Sequence, residues 1–106
     1  MDLTKVAQQI TGVSDQYAAK FGINRNGDWY VLKLQEELGE LIQSYLMMTG
    51  KARTKDKSSE EITAEFKKEL ADVFCHVLLL AQHFGIDLEK EVNEKWLVWD
   101  KPVSTP

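Results

Sequence analysis

The sequence predicts an all-α protein, a four-helix-type bundle that is completed by homo-oligomerisation. Both prolines, Pro102 and Pro106, lie at the C-terminal end, so no proline interrupts a helix in the body of the chain. Apolar residues recur at spacings of three and four, which is the period of an amphipathic helix. Glycines and polar turns separate four such segments. A chain of 106 residues fits one domain, with a core over residues 3–97 and an extended tail over 98–106.

The first two helices are delimited by short turn signals. The first apolar stripe ends at Gly22, a natural C-terminal stop. Residues 24–27 are predicted to form a turn, and Asp28 is predicted to cap the second helix, which ends at Gly50. The apolar residues of the first helix are Leu3, Val6, Ile10, Val13, Tyr17 and Phe21, and those of the second are Val31, Leu34, Leu38, Leu41, Ile42, Tyr45 and Met48.

The third helix follows a polar loop at residues 51–59. The loop contains four basic residues, Lys51, Arg53, Lys55 and Lys57, and is expected to be solvated and mobile rather than folded over a substrate. Ser58 and Glu61 have the spacing of a capping box that opens the helix, and Gly85 ends it. The apolar residues of this helix are Ile62, Phe66, Leu70, Val73, Phe74, Val77, Leu78, Ala81 and Phe84.

A short fourth helix is predicted from a cap at Asp87 to about Trp96.

The composition of the third helix predicts that the chain forms an oligomer. Ten of the twelve residues at 70–81 are apolar, and the exceptions are Asp72 and His76. A helix that is apolar nearly all round must be buried on nearly all sides, and three other helices, one of them short, cannot cover it. A second copy of the chain is therefore expected to complete the bundle, as a dimer or a tetramer.

The composition excludes several classes of partner. The net charge is −4 and the isoelectric point is about 5.1, which argues against nucleic acid as the main partner. No apolar run approaches the roughly 20 residues of a membrane span, and the N-terminus shows no secretory signal. The single cysteine, Cys75, lies in an apolar run. It is expected to be a buried thiol in a reduced cytoplasm.

Four carboxylates on the second and third helices are the candidate metal ligands. Glu37 and Glu40 are three residues apart and share one side of a helix, and Glu69 and Asp72 repeat that spacing. The sequence neighbours of Asp72 are apolar, so it is expected to lie at depth. An ionised carboxylate at depth costs on the order of several kcal/mol unless it is paired. Lys68 is the only basic residue placed to pair with it along its own helix.

A divalent cation would resolve this conflict. Carboxylate oxygens, without cysteine and without a Glu-x-x-His pair, suit Mg²⁺ or Mn²⁺ better than zinc or a di-iron centre. Because Mg²⁺ usually shares its shell with substrate phosphates, a phosphorylated substrate is expected. The competing interpretation is a solvated helix face. That is the commoner case for Glu36, Glu37 and Glu40 taken alone, whereas the setting of Asp72 favours a metal.

Two motifs in this order resemble the MazG-like members of the all-α NTP pyrophosphohydrolase superfamily. They are Lys-Leu-Gln-Glu-Glu-Leu-Gly-Glu-Leu at residues 33–41 and Glu-Leu-Ala-Asp-Val at 69–73, followed by Gly-Ile-Asp-Leu-Glu at 85–89. The family's pattern is Glu-x-x-Glu on one helix and Glu-x-x-Asp on the next. The likeness covers roughly residues 29–96, and the order and spacing make it more specific than either motif alone.

The resemblance implies an enzyme that hydrolyses a nucleoside triphosphate, a dNTP or a non-canonical NTP, to the monophosphate and pyrophosphate with Mg²⁺. Glu37, Glu40, Glu69 and Asp72 match the family's metal ligands. Catalysis is assigned to Glu36 and Glu37, with Glu36 orienting the attacking water or acting as its base. Lys33, one helical turn before Glu37, is expected to balance the acidic residues or to contact phosphate.

Four further residues are candidates for substrate binding. Asn93 and Lys95 fall where relatives often place an amide or basic residue near the phosphates or the base. Trp29 is expected to stack on a base or to pack over the core. His76 stands where relatives often have a tyrosine, which leaves the base preference open. Two other aromatic residues, Trp96 and Trp99, have the same two alternatives as Trp29, and packing over the core is the expected one.

Two alternatives to this function remain open at the level of sequence. Phosphoribosyl-ATP pyrophosphohydrolase is a related enzyme that shares the carboxylate arrangement of the superfamily. A non-catalytic oligomeric helical module, which binds nucleotide or regulates another protein, is the alternative from a different class.

Overall fold

The computed structural model describes residues 2–100 and contains four α-helices. They are α1 (Leu3–Phe21), α2 (Gly27–Met48), α3 (Ser59–Phe84) and α4 (Leu88–Lys95), and a 3₁₀ helix follows at Leu97–Trp99. Within these residues there is no strand, which confirms the all-α prediction. The main helix pair is α2 with α3, and α1 packs on α3. The acidic motifs of α2 and α3 are thus carried by the two helices that pack most extensively.

The ends of α1 and α2 follow local signals. The Asp2 side chain accepts a hydrogen bond from the Lys5 backbone N–H, and Gly22 ends α1 with a left-handed φ of 63°. The cap of α2 is Asn26 rather than the predicted Asp28, because the Asn26 side-chain oxygen accepts from the Trp29 backbone N–H at 2.9 Å. Asp28 lies instead in the first turn, where its charge favours the positive end of the helix dipole.

The predicted capping signals of α3 and α4 are confirmed. Ser58 and Glu61 form both hydrogen bonds of the capping box, and Asp87 accepts from the Lys90 backbone N–H. The extended tail predicted from residue 98 is wrong at its start, since a 3₁₀ helix covers Leu97–Trp99. The rest of that prediction, from residue 101 onwards, lies outside the described residues.

A single chain leaves much of its apolar surface uncovered. Its accessible surface is 8385 Å², whereas a compact monomer of this mass exposes about 6,000 Å². Its radius of gyration is 17.7 Å, against about 13 Å for a compact domain of this length. The buried apolar residues are few: Ala18, Tyr30, Met47, Ile62, Leu78, Leu79 and Ala81.

The uncovered surface includes the middle of α3. Leu70 is 52% exposed and Phe74 45%, and Asp72 between them is exposed as well. The expected depth of Asp72 is therefore wrong for the single chain, because the apolar residues beside it are themselves uncovered. Six large apolar residues of α2 are also exposed: Val31, Leu32, Leu38, Ile42, Tyr45 and Met48.

The C-terminal segment departs from the expected packing. Trp96 is 70% exposed and Trp99 81%, so neither packs in the core of the chain. The fourth helix packs mainly on the 3₁₀ helix that follows it.

Among residues 2–100 no single helix has the length and apolar character to cross a membrane. The one helix pair that has them in combination, Ser59–Phe84 with Leu88–Trp99, is bent by 104°.

Candidate metal site and the adjoining cavity

Three carboxylates converge where α2 packs on α3. Glu37, Glu40 and Glu69 each offer a carboxylate oxygen, and these atoms lie within 4.8 Å of one another. Glu37 is buried, Glu69 is half-buried and Glu40 is exposed. The spacing of three residues places Glu37 and Glu40 on one side of α2, facing Glu69. We call these three residues the acid cluster.

Burial and mutual repulsion make it unfavourable for the carboxylates of the acid cluster to be ionised together without a partner. Burial raises the pKa of Glu37 and that of Glu69, and the neighbouring charges of Glu40 and Asp72 raise both further. Oε2 of Glu69 is enclosed and has no hydrogen-bond partner in the described part of the chain. Acceptor oxygens without donors are what a hard divalent cation requires, so the residues fit Mg²⁺ or Mn²⁺.

Asp72, the fourth candidate ligand, stands beside the acid cluster but is not within the same 4.8 Å group. Its charge acts on Glu37, Glu69 and the Cys75 thiol, whose pKa is raised chiefly by burial. Cys75 itself is half-buried rather than buried. Asp72 is thus near the candidate metal position, on the side of α3 that the chain leaves open.

Lys33 connects the acid cluster to the exposed Glu36. Its Nζ donates to Oε2 of Glu36 at 3.4 Å and lies 3.9 Å from Oε1 of Glu37. One lysine is therefore shared between the two carboxylates assigned to catalysis. Its charge lowers the pKa of Glu37, but burial and the other carboxylates outweigh that effect.

His76 approaches the same oxygen of Glu37 from α3. Its Nε2 lies 3.8 Å from Oε1, while Nδ1 is enclosed without a hydrogen-bond partner in the described residues. Burial, followed by the charge of Lys33, lowers the pKa of His76. The ring lies 6.5 Å from Trp29, centroid to centroid, and Trp29 in turn meets Tyr30 edge to face at 5.0 Å.

A cavity of about 480 Å³ lies between the first three helices. Its lining comes from α1 (Gln9, Ile10, Val13, Ser14, Tyr17), α2 (Trp29, Lys33) and α3 (Cys75, His76, Leu79). Because Lys33 and His76 line the cavity and also lie within 4 Å of Glu37, the cavity adjoins the acid cluster. The sequence predicted Trp29, Lys33 and His76 as binding residues but did not predict that α1 contributes to the cavity. The spacing of Ile10, Val13 and Tyr17 on one helical face was the signal that could have indicated it.

The two remaining candidates are not brought to this place. Asn93 and Lys95 are exposed on α4, and neither belongs to the acid cluster or the lining of the cavity. In the basic loop, Lys57 donates to Glu65 at 2.7 Å and the Lys51 ammonium lies over the Tyr45 ring. At least two of the four basic residues of that loop are thus engaged within the chain.

Comparison with known protein families gives a match over most of the chain. The profile of a family described as phosphoribosyl-ATP pyrophosphohydrolase matches residues 14–95, well over half of the chain, and the matched region contains all four carboxylates. No curated protein and no solved structure matches.

Proposed function

This chain belongs to the phosphoribosyl-ATP pyrophosphohydrolase family, and we propose on that basis that it hydrolyses a nucleotide's triphosphate with release of pyrophosphate. Phosphoribosyl-ATP is the first candidate substrate, with phosphoribosyl-AMP as the second product. The family match favours this substrate over the plain nucleoside triphosphate that the MazG-like resemblance implies. A water would attack the α-phosphorus, and the bond to the oxygen that bridges to the β-phosphorus would break.

The observation that carries the proposal is the contact between the acid cluster and the cavity at Glu37. Lys33 and His76 lie within 4 Å of its Oε1 and also line the cavity. A nucleotide with its base and sugar in the cavity would extend its phosphates past Lys33 towards the acid cluster. The arrangement provides one apolar and one acidic subsite side by side, as a nucleotide with a metal requires.

Within this proposal Glu37, Glu40, Glu69 and Asp72 hold Mg²⁺, or Mn²⁺ in its place. The bound cation would neutralise phosphate charge and lower the pKa of a coordinated water. The protein's own part is positioning. Glu36 accepts the proton of the attacking water while the Lys33 ammonium contacts a phosphate oxygen.

In the proposal, residues of the cavity contact the base, whereas the two α4 residues are given no contact with the substrate. Trp29 of α2 and His76 of α3 line the cavity and would face a base bound there. Asn93 and Lys95 stay predictions from the resemblance, because α4 packs mainly on the 3₁₀ helix and neither residue lies with the other candidates.

The proposed assembly is a homo-oligomer. The chain exposes about 2,400 Å² more than a compact monomer of its mass, and interfaces of permanent dimers bury roughly 2,000 Å² or more in total. The exposed apolar residues of α2 and α3 flank the acid cluster in sequence. A second copy on this face would cover Leu70 and Phe74 and return Asp72 to the depth that its sequence neighbours predict.

A substrate panel tests the proposed function. Phosphoribosyl-ATP, ATP, the other NTPs, the dNTPs and inosine triphosphate are supplied at equal concentration with Mg²⁺, and pyrophosphate release is measured. We expect the highest kcat/KM with phosphoribosyl-ATP. A higher value for a nucleotide without the second phosphoribosyl group would establish the second candidate function, a nucleoside triphosphate pyrophosphohydrolase.

Matched variants assign the activity to the acid cluster. Glu40→Gln should remove pyrophosphate release, whereas Glu60→Gln, at the exposed start of α3, should retain it. No release from any nucleotide at high enzyme concentration, together with unchanged stability on adding Mg²⁺, would support a non-catalytic helical module instead.

A further inference from the structure

We propose that the cavity between α1, α2 and α3 binds the nucleobase of the substrate, and that Gln9 and Ser14 of α1 select which base is accepted. The ligand class rests on the proposed function, whereas the selecting residues come from the geometry of α1. Neither polar residue belongs to the two carboxylate motifs.

The size and lining of the cavity fit a flat aromatic ring. At about 480 Å³ it lies within the range of small-molecule sites, roughly 300–1,000 Å³. Ile10 and Leu79 supply aliphatic walls, and the Trp29 indole supplies an aromatic surface on which any base can stack. Apolar walls and stacking bind bases without distinguishing them, so discrimination must come from the polar groups.

The hydroxyl group of Ser14 can donate a hydrogen bond to a ligand in the cavity. Its Oγ accepts a hydrogen bond from Nη1 of Arg25 at 2.6 Å. Because a guanidinium only donates, the hydroxyl proton of Ser14 remains available. Among the described residues that hydroxyl donates to no backbone carbonyl, although Thr11 on the same helix does so to Ala7. A ring nitrogen or carbonyl oxygen of a base is the acceptor that this donor suits.

Arg25 holds Ser14 in place from the turn before α2. Its guanidinium also pairs with Asp15 and lies over the Tyr30 ring, 5.7 Å from the centroid. The arginine side chain is only 15% exposed. A fixed hydroxyl discriminates between ligands better than a free one, because a ligand that does not match it leaves a polar group unpaired.

Gln9 provides a further polar group on the α1 wall of the cavity, five residues before Ser14. Its amide can both donate and accept, and it has no hydrogen bond within the described residues. Because both side chains line the same cavity, an amide and a fixed donor can contact different positions of one base. Gln9, Ile10 and Val13 precede residue 14, where the family match begins, whereas Ser14 and Tyr17 of the same wall lie inside the matched region.

Nucleoside binding tests the inference without requiring hydrolysis. Adenosine, guanosine, cytidine and uridine are titrated into the full chain, and the indole N–H resonance of Trp29 is followed by NMR, assigned with Trp29→Phe. We expect one base to bind at least about tenfold more tightly than the weakest. Equal binding of all four, or no effect on Trp29, would overturn the proposal. A Trp29 shift that depends on protein concentration but not on nucleoside would show that a second copy fills the cavity, which also overturns it.

Variants identify the selecting residues. Gln9→Leu and Ser14→Ala should reduce the ratio between the best and worst base to about twofold or less. Gln8→Leu is the matched control, because Gln8 lines a different cavity, of about 400 Å³, on the same helix. Inorganic tripolyphosphate with Mg²⁺ is the probe without a base. An equal loss of tripolyphosphate binding in Gln9→Leu and Ser14→Ala would mean that they disturb the fold, and the assignment would be wrong.

The outcomes separate this inference from the proposed function. Base-selective nucleoside binding without pyrophosphate release from any nucleotide would support the cavity and reject the function. Pyrophosphate release that is equally efficient for every base, and insensitive to Gln9→Leu and Ser14→Ala, would support the function and reject the cavity.

Discussion

The imidazole of His76 lies beside the carboxylate of Glu37, with Nε2 3.8 Å from Oε1, yet the pKa shifts of both groups oppose an ion pair. Burial lowers the pKa of His76 and raises that of Glu37. The histidine therefore does not balance the charge of the acid cluster at neutral pH. Lys33 is shared with Glu36, so the described residues leave part of the negative charge of the acid cluster unbalanced, and a bound cation would balance it.

The first prediction concerns the stability of the metal-free protein as a function of pH. The folded-state pKa values of Glu37 and Glu69 are raised above 4.5. Folding therefore favours their protonated forms. Their contribution to stability is fully present below pH 4.5 and is lost as the pH rises through the folded values. In EDTA, the double variant Glu37→Gln/Glu69→Gln should gain melting temperature relative to wild type between pH 4 and pH 7.

Adding Mg²⁺ at pH 7 should reverse that order, because a ligand that binds only the folded state raises its stability. The double variant should not respond. Glu60→Gln is the control, since Glu60 is exposed outside the acid cluster and should behave as wild type towards Mg²⁺. A difference in melting temperature between the wild type and the double variant that is the same at every pH would contradict the raised pKa values of Glu37 and Glu69.

Local signals predicted most of the fold. Helix ends at Gly22 and Gly85 and the capping box at Ser58 depend on residues within one turn, so sequence alone identifies them. The cap of α2 was misassigned by two residues, because Asn26 and Asp28 both satisfy the local rule. The extended backbone of Asn26 and the hydrogen bond that its side chain accepts from the Trp29 N–H decide between them.

The sequence predicted only part of the candidate site, because the rest depends on contacts between helices. Helical spacing places Glu37 beside Glu40, but it cannot show that Glu69 faces them, which depends on how α2 packs on α3. The depth of Asp72 depends on contacts that a single chain does not make. The spacing of Ile10, Val13 and Tyr17 indicates an apolar face on α1, but the hydrogen bond from Arg25 to Ser14 joins residues eleven positions apart, which no periodicity reveals.

The second prediction concerns Asp72. Asp72→Asn should reduce kcat/KM by about 100-fold or more, because several kcal/mol of charge stabilisation depend on the cation that it helps to hold. It should leave the metal-free melting temperature unchanged or raise it, since the charge of Asp72 adds to the raised pKa values of Glu37 and Glu69. Steady-state kinetics and melts in EDTA measure both. A large fall in melting temperature would instead assign Asp72 a structural role.

The third prediction concerns Lys33. Lys33→Met should raise the KM for the triphosphate by roughly 10-fold to 100-fold, the scale of a lost charge-assisted hydrogen bond of about 1.5–3 kcal/mol. The pKa of Glu37 should rise further, because the Lys33 charge lowers it. The matched control is Lys67→Met, on the exposed side of α3. An unchanged KM in Lys33→Met would leave the lysine with no role in binding phosphate.

The fourth prediction concerns the uncovered face of α3. If a second copy covers Leu70 and Phe74, Leu70→Glu places an uncompensated charge in the interface, which costs about 3–5 kcal/mol and weakens association by at least about 100-fold. Light scattering over a range of concentrations should show an oligomer for wild type and a smaller mass for the variant. Ala64→Glu adds the same charge at another exposed position of α3 and should keep the wild-type mass. A wild-type mass equal to one chain at every concentration would remove the second copy from the proposal, and with it the return of Asp72 to depth.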